Sequence, residues 1–78
     1  MRKMLFKMER PNQVNIGDLV KITEKSLPYA YYYTLEPAVA MSGNIEFQDR
    51  LLAREGIVTQ IEENPRGYYV TVEFAEMS

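Results

Sequence analysis

The chain contains no cysteine and no histidine. Without cysteine there are no disulfides, no thiol nucleophile and no thiolate metal site. Without histidine, a zinc site or an imidazole base would have to be built from other groups. Ser26, Ser42 and Ser78 therefore have no imidazole to activate them. The four glycines, at positions 17, 43, 56 and 67, are isolated, so there is no phosphate-cradling or dinucleotide loop. No apolar run approaches the length of a membrane span. The basic residues near the N-terminus precede no sustained apolar segment, which excludes a signal peptide and makes the cytoplasm the expected location. Neither sign of charge dominates: nine basic and eleven acidic residues give a formal charge of −2. That balance supplies no global attraction to nucleic acid. Among the carboxylates, Glu62 and Glu63 diverge if they lie on a strand, and Asp49 with Glu55 makes a weak metal pair. The expectation is a non-enzymatic protein with no cofactor and no metal.

What is present is a β pattern in a single small domain. Hydrophobic residues make up 46% of the 78 positions, enough to fold the body of the chain. The clearest stretch is Gly56 to Phe74, GIVTQIEENPRGYYVTVEF. Tyr68, Val70, Val72 and Phe74 recur at period two, with Tyr69, Thr71 and Glu73 between them, as in a strand with one face on a core. Upstream, Ile57, Thr59 and Ile61 share one phase and Val58 the other. Either a bulge resets that phase or both faces are partly covered. Pro65 and Gly67 suit the turn between two antiparallel strands. A second strand is expected in Val14 to Thr23, where Gly17-Asp18 marks a bend and Val20 and Ile22 point one way. The expected core is Val20, Ile22, Val58, Ile61, Val70, Val72 and Phe74.

The remaining segments read less regularly. Residues 1–13 form an N-terminal arm: Met4, Leu5, Phe6 and Met8 suit one helical turn, or an extended piece laid on the domain or on another subunit, or a frayed tail. Pro11 ends any helix at or before Arg10. The domain proper is residues 14–78, with an insertion at 24–55. Within it, Ser26 is a candidate cap of a short helix over SLPYAYYYTLE, against the alternative of a long loop with an extended piece. Tyr29, Tyr31, Tyr32 and Tyr33 cannot all enter one small core, so at least one belongs to a surface or an interface. Phe47 to Leu52 reads as a helical turn followed by extended chain.

The candidate binding face is Tyr31, Tyr32, Tyr33, Lys25, Arg50 and Arg54. A protein partner is the leading expectation, from tyrosine surface and mild net charge. RNA is the alternative, with the cations on phosphates and the tyrosines under bases. Asp49 and Glu55 lie near enough in sequence to neutralise Arg50 and Arg54. A homo-oligomer is compatible with the composition.

From Gly56 onward the residues resemble the KOW-type hairpin of SH3-like barrels. The matching positions are Gly56, Val58, Ile61, Gly67, Val70 and Val72, and GDLVKI at Gly17 to Ile22 resembles the first barrel strand that precedes such motifs. The likeness covers about 25 to 30 residues, and the arrangement is similar to that of small uncharacterised bacterial proteins built on this barrel. It implies a mainly β fold: a small SH3-like barrel of about five strands, closed to protect its edges, with a tyrosine-rich insertion containing short helical turns. It also implies contact with RNA, ribosomal proteins, transcription machinery or other proteins.

Overall fold

The computed structural model describes residues 1–10, 13–36 and 40–76. Six strands, β1 (Arg2–Met8), β2 (Leu19–Ser26), β3 (Tyr31–Glu36), β4 (Ala40–Ser42), β5 (Glu55–Asn64) and β6 (Gly67–Phe74), close into one antiparallel barrel in the order β1-β4-β3-β2-β5-β6. The architecture is mainly β and consistent with an SH3-like barrel.

Alternation in β6 places Val70, Val72 and Phe74 inside, each fully buried. β5 pairs with it from Ile57 opposite Glu73 to Asn64 opposite Gly67. The register shifts between Val58 and Gln60, the mark of a bulge. That extra residue resolves the phase conflict seen in the sequence. Val58 points inward before the bulge, Ile61 packs on the core after it, and Ile57 faces out. Two further features hold the hairpin. Gly67 adopts φ +137, a conformation that favours glycine, and the Asn64 side chain accepts a bond from the Arg66 N–H at 2.8 Å. Gly56 is required for close approach: a Cβ there would lie 2.7 Å from the Glu73 carbonyl and 2.8 Å from the Phe74 ring.

Several expectations are corrected. Residues assigned to an arm form β1, which pairs along β6 from Arg2 opposite Phe74 to Met8 opposite Tyr68. Met4, Phe6 and Met8 enter the core, while Lys3, Leu5 and Lys7 face out. Met4 and Met8 satisfy helical spacing and strand spacing alike. The barrel decides between them because β6 would otherwise present an unpaired edge. The stretch 24–55 is likewise no insertion appended to a barrel, since it supplies the end of β2 and all of β3 and β4. No helix starts at Ser26: Tyr31 to Glu36 pairs with β2. The strand count is six.

The core gathers side chains from every strand. Six of the seven expected core residues are buried and Ile61 is packed against them. Met4, Phe6, Met8, Tyr33, Leu35, Ala40, Val14 and Leu51 complete the cluster. Val14 and Leu51 come from outside the strands. Leu51 belongs to a segment, residues 43–54, that follows β4 as a cap over the interior and contains one 3-10 turn at Phe47–Asp49. Among the described residues no helix is long and apolar enough to cross a membrane.

Candidate recognition surface

Inward-facing positions of β3 fix the first part of the site. Tyr31, Tyr33 and Leu35 share the inner phase, and Tyr32 takes the outer one. Tyr33 is fully buried, which removes it from the candidate face. Its hydroxyl accepts the Leu51 N–H at 2.8 Å. The hydroxyl hydrogen has two acceptors in range, the Leu51 carbonyl at 3.2 Å and Glu24 Oε2 at 3.3 Å. Burial pushes the Tyr33 phenol up and the nearby Glu24 charge adds to that, against a lowering contribution from the Leu51 backbone. The Tyr33 backbone N–H is also occupied, donating to Ser42 Oγ at 2.9 Å.

Glu24 is the hub of the cap's polar contacts. It lies on the inner phase of β2, two residues after Ile22, and its side chain is 14% exposed. A carboxylate on that phase needs a cation or several donors to be stable. Arg50 supplies a two-point contact, Nε to Oε2 at 3.1 Å and Nη2 to Oε1 at 3.1 Å. Arg54 adds Nη2 to Oε2 at 3.2 Å. Partial burial pushes the Glu24 carboxyl up. The Arg50 hydrogen bond and the charges of Arg50 and Arg54 outweigh it and hold the group below its ordinary value. The same contacts raise Arg50. Asp49 and Glu55 were the expected neutralising partners of these arginines. Glu24, which lies far away in sequence, takes that role.

The cap is clipped to the barrel at further points. Arg54 Nη1 donates to the carbonyls of Leu51 at 2.9 Å, Leu52 at 3.2 Å and Ala53 at 3.1 Å. Glu76 accepts the Leu52 N–H at 2.9 Å and the Ala53 N–H at 2.6 Å. Arg2 reaches Glu76 at 3.4 Å and the carbonyls of Asp49 and Arg50. Among the described residues every buried side-chain nitrogen and oxygen has a partner. Arg54 spends its donors on these carbonyls and on Glu24, with its side chain 47% exposed.

What faces solvent is a small aromatic and cationic cluster. Tyr31 exchanges both backbone bonds with Ile45, at 2.8 and 2.7 Å, which lays the cap beside its ring. Phe47 meets that ring edge-on, with centroids 5.1 Å apart at 62°. The Arg50 guanidinium sits 5.0 Å from the ring centroid. Phe47 is 49% exposed, and Tyr29, in the connection from β2 to β3, is 66% exposed. The remaining candidates, Lys25 and Tyr32, stand opposite each other across β2 and β3 on the outer wall. Of the six candidate residues, the structure joins Tyr31 with Arg50, buries Tyr33, locks Arg54 and sets Lys25 with Tyr32 apart on the wall. Sequence reasoning missed Glu24 and did not give Phe47 a surface role. The phase of Val20 and Ile22 carried a signal for Glu24. Nothing local to Phe47 marked it as exposed.

Among the described residues no three carboxylates cluster as metal ligands would. Comparison with known proteins finds no family model, no curated protein and no solved structure that matches the chain significantly.

Proposed function

We propose that the chain is a non-enzymatic binding module, a cytoplasmic scaffolding subunit that docks on a protein partner through Tyr31, Phe47 and Arg50. One observation carries this reading: Arg50 is held by Glu24 and lies over the Tyr31 ring while Phe47 stands half-exposed beside that ring. Tyrosine, phenylalanine and arginine are enriched at protein interfaces, and fixed side chains lose little entropy on docking. The KOW-type reading of the β5–β6 hairpin belongs to the same proposal and favours assembly with larger machinery. RNA binding is the second reading, since Lys25 beside Tyr32 sets a cation next to a ring on the outer wall. It ranks lower because Arg50 and Arg54 both satisfy Glu24.

The test is affinity capture from native lysate by wild-type protein and by Phe47→Ala, with and without nuclease. The proposal expects a specific protein that survives nuclease and is lost with Phe47→Ala, whose circular dichroism matches wild type. Capture that nuclease abolishes, or that Phe47→Ala leaves intact, contradicts it.

A further inference from the structure

Closure between β2 and β5 is short. The two strands pair at Leu19–Ile57, Val20–Gly56 and Lys21–Glu55. Val58 extends the seam, donating to the Asp18 carbonyl at 3.0 Å and accepting the Gly17 N–H at 2.7 Å. β5 continues to Asn64, paired with β6 throughout. Asn64 and Gly67 flank a two-residue turn and bond to each other across it, so by alternation the N–H and C=O of Ile61 and Glu63 point away from β6. Val58, on the same side after allowance for the bulge, fits that phase. Among the described residues no backbone bond reaches Ile61 or Glu63 on that side.

Charge along this edge is one-sided. β5 and β6 carry Glu55, Glu62, Glu63 and Glu73, with Arg66 alone as cation in the turn. Glu55 stands opposite Lys21 on β2, and Glu73 opposite Lys3 on β1. Glu62 and Glu63 stand opposite Tyr69 and Tyr68, so no cation on β6 answers them. A second copy on this edge would set these carboxylates against their own counterparts. We propose that the Ile61–Glu63 edge of β5 accepts an extended, lysine- or arginine-bearing segment of a partner protein as an added strand. Backbone bonds to Ile61 and Glu63 hold the segment, and Glu62 and Glu63 select its charge. This surface is separate from the Tyr31–Phe47–Arg50 face, and either one stands without the other.

The probe is a blocked octapeptide of alternating lysine pairs and valine pairs, which sets lysine on both faces of the added strand, with the glutamate–valine counterpart as control, titrated into the 15N-labelled protein. The amides of Ile61 and Glu63 should exchange rapidly in the free protein, shift on addition of the lysine peptide and become protected. The acidic peptide should do neither. Glu63→Pro removes the open-side donor at a position where edge strands tolerate proline, and should weaken the lysine peptide by about tenfold. Glu62→Gln with Glu63→Gln leaves the backbone intact and should weaken it by about threefold, with a smaller loss on adding salt. Slow exchange of these amides in the free protein would mean the edge is already covered and would overturn the proposal. Equal response to both peptides, or shifts confined to other strands, would overturn it as well.

Discussion

The β5–β6 hairpin and the cap at residues 43–54 are held by different physics. The hairpin repeats one instruction: every second side chain of β6 from Val70 onward is apolar and buried, and the ladder follows. The cap has one fully buried apolar anchor, Leu51, with Ile45 and Ala53 half-buried beside it, and is fixed further by the Tyr31–Ile45 backbone pair and by individual bonds from Tyr33, Glu24, Arg54, Glu76 and Arg2. A periodic surface tolerates local loss because its neighbours repeat the same contact. A set of single bonds does not, because each satisfies groups that no other residue can reach. The cap also presents Phe47 and Arg50, so the aromatic face is as rigid as those bonds make it.

Substitutions can break or sharpen this contrast. Phe74→Ala empties the hairpin's contribution to the core and should cost about 3–5 kcal/mol, read by denaturant unfolding. Gly56→Ala tests close approach rather than volume lost. Its Cβ meets the Glu73 carbonyl and Val72 Cγ1 at 2.7 Å, so a loss of about 1–3 kcal/mol is expected. Tyr33→Phe keeps the ring in the core and removes only the hydroxyl. It leaves the Leu51 N–H without its acceptor, at about 1–2 kcal/mol, with unfolding otherwise cooperative. An unchanged stability for Tyr33→Phe would show that the Tyr33 hydroxyl does not hold the cap.

The smallest effect is expected from Glu24→Gln, below about 1 kcal/mol at neutral pH. It carries a pH signature. The folded carboxyl lies below its ordinary value, so its contribution is present above the unfolded pKa and is lost as pH falls through the folded one. Wild type should therefore lose more stability than Glu24→Gln on acidification from neutral pH to below 4.5, the ordinary value of this group. Parallel acid curves for the two proteins would remove Glu24 from the role of hub.

How legible these regions were in the sequence follows from the same difference. The hairpin, its turn and six of the fourteen buried core residues could be read because period two and turn chemistry are local signals. β1 was ambiguous: Met4 and Met8 fit a helix and a strand equally, and the choice depends on β6, sixty or more residues away. β3 was hidden by consecutive tyrosines, whose amphipathic rings are equally at home inside and outside, so alternation left no mark. Arg50 beside Tyr31 was partly visible, since both were candidates. The ties from Glu24, Tyr33 and Glu76 to the cap span 18 to 30 positions in sequence and follow no period.

Amide hydrogen exchange at Leu51, Leu52 and Ala53, set beside Val58, Val70 and Val72, tests the clipped cap most directly. The account expects the cap amides to exchange far more slowly than an open chain yet faster than the barrel amides. It also expects Tyr33→Phe to speed Leu51 most of all, by about tenfold. Cap amides exchanging at open-chain rates in the wild-type protein would contradict it, and would leave Phe47 and Arg50 on no fixed support.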